Sequence, residues 1–195
     1  MKIVIIKYNA GNIKSVLLAL KRLGYEGILT DDPKEILSAD RVIFPGQGEA
    51  RSAMQYLKER GLDEVIKKIT SPFLGICLGL QLLCAHSEEG DTECLGIFDA
   101  QVKKFPAKLK VPHMGWNTVE VADDSSFKGI TLPAYFYFVH SYYAEICPQT
   151  IASTDYMLPF STVLKKDNFL AIQPHPEKSA EAGEKFLKNF INQSI

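Results

Sequence analysis

Residues 2–6 are a short β-branched run, Ile3-Val4-Ile5-Ile6 preceded by Lys2 and followed by Lys7. Such a run suits a strand covered on both faces, as in a parallel sheet flanked by helices. Ile13, Val16, Leu17, Leu20 and Leu23 then recur at helical spacing, with Asn12 as N-cap and Gly24 as the stop, which predicts a helix over 13–23. Gly27 to Thr30 reads as a second strand, and Asp31-Asp32-Pro33 as a turn into a short helix over 33–38. Arg41 to Pro45 reads as a third strand, running into Pro45-Gly46-Gln47-Gly48. Helices near 50–60 and 62–69, a fourth strand over 72–76 and a helix over 78–85 follow.

From about residue 90 the pattern changes to shorter pieces with alternation or aromatic enrichment, over 98–105, 117–122 and 135–139, separated by Pro and Gly. A strand over 169–173 comes next, and Ala182, Phe186, Leu187, Phe190 and Ile191 mark a closing helix. The expected fold class is therefore α/β: a mainly parallel central sheet flanked by helices, with a partly antiparallel extension. No repeat, low-complexity tract or linker divides the chain, so a single domain over residues 1–195 is expected. In such a sheet the site lies beyond the C-terminal ends of the strands.

Composition narrows the function classes. With 46% hydrophobic and 23% charged residues the chain is of ordinary globular make-up. Its net charge of −1 supplies no field for a polyanion, so no nucleic-acid partner is expected. Cys77, Cys84, Cys94 and Cys147 show neither a disulfide framework nor zinc-ligand spacing, which suggests a reducing, cytoplasmic location. The apolar start is too short for a secretory signal. Residues 69–87 carry no formal charge, but Pro72, Gly75, Gly79 and Gln81 interrupt them, so they read as strand, turn and buried helix rather than a membrane span. The histidines form no i,i+4 pair, and no metal site or cofactor is expected.

That uncharged stretch holds Gly75-Ile76-Cys77-Leu78-Gly79, a nucleophile-elbow pattern between an apolar strand and an apolar helix. The glycines relieve crowding, the nucleophile sits in a strained turn, and the next backbone N–H faces a developing oxyanion. A helix starting directly after Cys77 favours thiolate over thiol. By itself the pentapeptide suits a small buried structural cysteine equally well. Gln173-Pro174-His175-Pro176-Glu177 shifts that balance, because a thiol nucleophile needs a base and the base an orienting acceptor, here His175 and Glu177. The two prolines stiffen the residues before them.

Taken in order, Gly75-Ile76-Cys77-Leu78-Gly79-Leu80-Gln81 and His175-Pro176-Glu177 resemble the signature of the class I, or triad, glutamine amidotransferases over essentially the whole chain. The resemblance implies that Cys77 attacks the side-chain amide of glutamine, that His175 shuttles protons and that Glu177 orients it. A glutamyl thioester is then hydrolysed after ammonia leaves. It further implies an oxyanion hole at the Leu78 N–H and the Gly46-Gln47-Gly48 loop, and glutamine recognition by Gly48, Gln81, Ser141 and Tyr142.

Tyr8-Asn9-Ala10-Gly11-Asn12, Val111-Pro112-His113-Met114-Gly115-Trp116-Asn117 and Tyr137-Phe138-Val139-His140-Ser141-Tyr142-Tyr143 are similar to segments of one branch of that family, the glutaminase subunits of imidazole glycerol phosphate synthases. This implies a heterodimer with a (β/α)8 cyclase subunit that uses the ammonia in histidine biosynthesis. It makes Met114 and Trp116 the expected apolar interface anchors, with Asn12 and Lys178 as weaker interface candidates.

Three positions depart from the family pattern. Pro174 removes a backbone donor just before the histidine and puts the local strand pairing in question, Lys7 replaces a common Asp, and Gln47 occupies the variable position of the loop. Lys103, Lys104, Lys108 and Lys110 form a basic run that could face an acidic partner surface or steer a phosphate, with a solvated edge that blocks strand pairing as the preferred reading. Two other readings keep the same triad: a glutaminase serving another synthase, and a self-sufficient γ-glutamyl hydrolase. A non-catalytic glutamine-binding subunit is a third.

Overall fold

The computed structural model of the chain describes residues 1–9, 11, 13–122 and 124–192. Asn12, expected as a helix cap and an interface residue, lies outside them.

Alternation of β and α dominates the first half: β1 (Ile3–Ile6), α1 (Ile13–Arg22), β2 (Gly27–Thr30), α2 (Pro33–Leu37), β3 (Arg41–Gly46), α3 (Ala50–Glu59), α4 (Leu62–Lys67), β4 (Phe73–Cys77) and α5 (Leu78–Leu83). Local chemistry sets the helix starts. The Asp32 carboxylate accepts from the Lys34 N–H at 2.7 Å with Pro33 at the first helical position, and Glu49 accepts from the Ser52 N–H at 2.8 Å. Then come β5 (His86–Ser87), β6 (Thr92–Glu93), β7 (Gln101–Lys104), β8 (His113–Val121), β9 (Ala134–His140), β10 (Tyr142–Ala144), β11 (Thr150–Asp155), β12 (Pro159–Lys166), β13 (Phe169–Ile172) and α6 (Ala180–Asn192). Single 3-10 turns occupy Ser125–Phe127 and Pro176–Lys178.

The sheet runs β2-β1-β3-β4-β13-β12-β10-β7-β5-β6. Its first five strands are parallel to their neighbours, and antiparallel pairing begins where β13 meets β12. At β12 the sheet forks: β11 pairs with both β12 and β8, and β8 carries β9. This is the mainly parallel sheet with a partly antiparallel extension expected from the pattern.

Alternate residues of the central strands feed two cores. Val4, Ile6, Val42, Phe44 and Phe73 point to the side covered by α3, α4 and α5. Ile3, Ile5, Ile43, Leu74 and Ile76 point to the side covered by α1 and α6, where Val16, Leu20, Phe186 and Leu187 meet them. Each such fully buried side chain contributes about 1.5–3 kcal/mol relative to an exposed one. The resulting three-layer sandwich holds the parallel strands stiffly and leaves their C-terminal ends as a platform. No helix among the described residues is long and apolar enough to cross a membrane.

The sequence pattern misses the β11–β12 hairpin. Its buried positions include Thr154, Ser161 and Thr162, polar residue types that leave no clean apolar alternation in the sequence. They are tolerated inside because their hydroxyls pair: Thr162 Oγ1 with Thr154 Oγ1 at 2.7 Å, and Ser161 Oγ with the Glu145 carbonyl at 2.6 Å. Pro174 does not interrupt pairing, because the neighbouring donors are both used, Gln173 N–H on the Thr162 carbonyl at 2.8 Å and His175 N–H on the Tyr137 carbonyl at 2.9 Å. Of the basic run, Lys103 pairs with Glu145 at 2.5 Å on the sheet surface.

Candidate active site

Three adjacent parallel strands end together. Gly46 at the end of β3 is in register with Cys77 at the end of β4, and Ile172 at the end of β13 with Ile76, so the loop after β3, the cysteine and the segment 173–177 converge. Cys77 has φ 55° and ψ −107°, a conformation that L residues avoid and that turns the chain from strand to helix within one residue. The turn needs glycine behind it. A Cβ on Gly79 would sit 1.9 Å from the Phe44 carbonyl oxygen, so only glycine lets α5 lie this close to β3. Leu78 opens α5, and its N–H therefore has no acceptor within the helix.

His175 Nδ1 and Glu177 Oε1 lie 2.8 Å apart, both side chains buried, with the 3-10 turn bringing the carboxylate back onto the ring. The Ser179 hydroxyl donates to the His175 carbonyl at 2.6 Å and accepts the Tyr137 N–H at 2.9 Å, which fixes this segment to β9. Burial acts to lower the imidazole pKa. The negative charge on Cys77, the hydrogen bond with Cys77 and the contact with Glu177 outweigh burial and raise it to about 10. His175 is therefore protonated at neutral pH, with the Cys77 sulfur beside it.

A cavity of about 370 Å³ opens over Cys77, lined among others by Gln47, Gly48, Leu78, Gln81, Ser141 and Tyr142. Gly48 and Leu78, expected in the oxyanion hole, and Gln81, Ser141 and Tyr142, expected to recognise glutamine, thus border one space. A larger depression of about 660 Å³ between Val121 and Leu132 contains no cysteine or histidine and is far poorer in chemistry. The loop after β3 is tied down from the first strand's side. Tyr8 Oη donates to the Pro45 carbonyl at 2.8 Å and the Gly11 N–H to the Gln47 carbonyl at 3.0 Å, while Gly48 takes a φ of 147° that favours glycine. Lys7 is exposed, its N–H bonded to the Thr30 carbonyl at 2.8 Å.

Running from the cavity wall into the interior is a chain of polar groups that sequence reasoning did not assemble. Gln81 Nε2 lies 2.9 Å from the Tyr142 carbonyl and 3.0 Å from Gln173 Oε1, and Gln173 Nε2 lies 3.6 Å from Cys77 Sγ. The Tyr142 carbonyl also accepts from His140 Nδ1 at 2.7 Å. His140 Nε2 must then accept from His113 Nδ1, 3.0 Å away, and His113 Nε2 faces Asn117 Nδ2 at 3.4 Å. Both rings are buried among Phe105, Phe138, Tyr156 and Phe160, and burial lowers His113 to about 4 and His140 to about 3. These two imidazoles are neutral.

Glu89 is a second residue that the sequence did not point to. It lines the cavity with a carboxylate that accepts the Ala50 N–H at 2.8 Å, and burial raises its pKa. It sits on the short turn between β5 and β6, with no motif around it.

Met114 and Trp116 are 57% and 53% exposed on the outer face of β8, next to Tyr137 and Tyr135 of β9, and Trp116 meets Tyr137 edge-on at 6.1 Å. Lys178 is exposed on the turn that runs alongside Tyr137. The expected interface residues within the described part thus share one region. Among the described residues no group of three or more His, Cys, Asp or Glu side chains could hold a metal ion.

This geometry is that of a cysteine nucleophile with a histidine–glutamate pair, and residues 4–194 match the family described as glutamine amidotransferase class-I. The chain belongs to the class-I glutamine amidotransferases. This class-I glutamine amidotransferase is 56% identical over 194 residues to a Bacteroides fragilis protein described as imidazole glycerol phosphate synthase subunit HisH, with 98% of this chain and 99% of that protein covered. The Yersinia pestis protein of the same description is 47% identical over 194 residues, again covering 98% and 99%. Among solved structures, a putative GMP synthase component from Thermoplasma acidophilum superposes with a TM-score of 0.75 at 22% identity, covering 98% of this chain and 92% of that one. A glutamine amidotransferase structure gives 0.72 at 19% identity, covering 96% and 98%. At those identities the two structures bear on the fold alone.

Proposed function

We propose that this chain is the glutaminase subunit of an imidazole glycerol phosphate synthase, hydrolysing glutamine and passing ammonia to a cyclase subunit in histidine biosynthesis. The observation that carries the chemistry is the strained Cys77, bordering a small cavity, beside a protonated, Glu177-bound His175. The thiolate attacks the side-chain carbonyl carbon of glutamine, and the Leu78 N–H with the Gly48 loop stabilises the oxyanion that forms. Bond formation removes the charge from sulfur. It thereby removes the strongest influence holding the proton on His175, and the imidazolium gives that proton to the departing nitrogen. Ammonia leaves and a thioester remains. The now neutral His175 accepts a proton from water, which attacks the thioester, and glutamate and the Cys77 thiolate are regenerated.

Pocket chemistry suits an amino acid. Glu89 presents a carboxylate to the α-ammonium, and Gln81, with its nitrogen committed to Tyr142 and Gln173, presents its carbonyl oxygen to a donor. Ser141 and Tyr142 complete the lining.

Ammonia released into neutral water is mostly protonated and loses its nucleophilicity, which favours direct transfer to a docked synthase. The exposed Met114 and Trp116 supply the apolar anchor for that docking, with Lys178 nearby and Asn12 as a further contact.

The test is glutamine hydrolysis by the chain alone and with the cyclase subunit of an imidazole glycerol phosphate synthase plus its nucleotide substrate, with Cys77→Ala as the blank. The expected result is stimulation by orders of magnitude that vanishes in the blank. Trp116→Ala is expected to weaken the complex by about 2 kcal/mol, about thirtyfold in Kd. Full activity without a partner would instead indicate a self-sufficient hydrolase. Activity in neither condition would indicate a different synthase or a binding role.

A further inference from the structure

Gln173 is completely buried, contributes no surface to the cavity, and lies two residues before the histidine of the triad. Its amide could in principle present either oxygen or nitrogen to Cys77. The surrounding groups decide which. A backbone carbonyl only accepts, so the Gln81 amide must turn its nitrogen to Tyr142, 2.9 Å away. The same nitrogen faces Gln173 at 3.0 Å and therefore requires an oxygen there. What remains of the Gln173 amide, its NH₂, is turned to Cys77 Sγ at 3.6 Å, within reach for a donor to sulfur. The Gln173 backbone N–H is itself bound to the Thr162 carbonyl at 2.8 Å, so the residue has little freedom to move away.

We propose that Gln173 is a second hydrogen-bond donor to the Cys77 sulfur, holding it in place and stabilising its thiolate form alongside His175. This rests on the reading of Cys77 as the nucleophile. The donor serves twice in that chemistry, when the thiolate waits for substrate and when it departs from the thioester. Unlike the imidazolium, an amide does not titrate and gives the same support at every pH. The other groups that act on the sulfur or share its cavity have different places. Tyr8 from the end of β1 has a phenol whose pKa is raised by burial and by Cys77, and its hydroxyl is committed to the Pro45 carbonyl. Glu89 and Tyr142 lie on the cavity wall, and His140 is held neutral with its Nδ1 on the Tyr142 carbonyl. The amide of Gln173, by contrast, is aimed at the sulfur.

The experiment is the pH profile of Cys77 alkylation by iodoacetamide in the full chain, read by mass spectrometry at that residue so that the other three cysteines do not contribute. It needs neither glutamine nor a partner, so it reports on Gln173 even if the chain proved to act on a different amide, and an inactive glutaminase assay would not mimic its failure. Gln173→Met keeps the length and removes the donor. Its alkylation midpoint is expected to move up by about one pH unit, with alkylation at neutral pH about tenfold slower. Gln173→Glu, which puts an acceptor against the sulfur, is expected to move it further in the same direction. In the parent chain, which needs no substitution at 173, the side-chain amide proton resonance of Gln173 is expected to shift with the same midpoint, and to lose that titration in Cys77→Ala. A midpoint unchanged in both variants, or an amide resonance indifferent to Cys77, would overturn the proposal.

Discussion

Gly79→Ala tests how tightly the elbow is set. The added Cβ would lie 1.9 Å from the Phe44 carbonyl oxygen and 3.1 Å from its carbon, both backbone atoms of a central strand that cannot swing aside. Contacts between a Cβ and such atoms below 3.0 Å are essentially not tolerated, so α5 must retreat from β3 by at least 3.0 − 1.9 = 1.1 Å. That helix starts at Leu78, and its first residue carries the N–H assigned to the oxyanion. A displacement of about 1 Å at a reacting centre costs on the order of 10²-fold in rate, and overpacking of this kind costs about 1–3 kcal/mol in stability. The assay is partner-stimulated glutamine hydrolysis together with a urea melt. Gly24→Ala is the control, since Gly24 has a positive φ of 84° that strains an alanine but no atom within 4 Å of the added methyl, and it lies beyond α1. The expected pattern is about a hundredfold loss of kcat/KM for Gly79→Ala with destabilisation, against destabilisation alone for Gly24→Ala. Gly79→Ala at near-parental activity would refute the argument that close helix–strand approach positions the site.

Strain and charge at the site give two more expected outcomes. Cys77→Gly is expected to be more stable than Cys77→Ala by about 1 kcal/mol in urea melts, because glycine relieves the φ of 55° while giving back part of the gain in unfolded-chain entropy; equal midpoints would mean that the turn stores no strain. Thermal stability is expected to peak near pH 6.5. The contribution of His175, whose native value is raised to about 10, is complete below its ordinary value of 6.5 and is lost as pH rises through about 10. The contributions of His113 and His140, lowered to about 4 and about 3, are complete above 6.5 and are lost as pH falls through those values. Cys77→Ala is expected to flatten the alkaline descent, and an unchanged slope would show that Cys77 does not hold the His175 proton.

The parallel half of the fold was legible because its signals are local and agree with one another. Short apolar runs alternate with amphipathic stretches, and Asp32, Pro33 and Gly24 punctuate them. The strands of the first four β–α units fall within a residue or two of the ranges the pattern predicts. The hairpin over 150–166 was illegible because Thr154, Ser161 and Thr162 are buried polar residues made acceptable only by partners brought in from elsewhere. The site divides the same way. Cys77, His175 and Glu177 stand in short motifs whose spacing is chemically meaningful. Gln173 and Glu89 do not: the first is defined by which atom of Gln81 faces a distant carbonyl, the second by the chance that a tight turn ends over the cavity. His113 and His140 meet only because β8 and β9 pair in a register that sets them opposite each other across 27 positions of sequence.

That register makes β8 a two-sided plate. His113 points inward among the aromatic rings beside the cavity, and Met114, the next residue, points outward to the exposed face proposed for docking, as strand geometry requires of neighbours. A slip of one residue would exchange the two faces, placing a thioether where the imidazole pair must close and an imidazole where the apolar anchor must stand. Insertions and deletions within this strand are therefore barred twice over. The surface proposed to meet the synthase and the wall beside the cavity can drift in residue type, but not in position relative to each other.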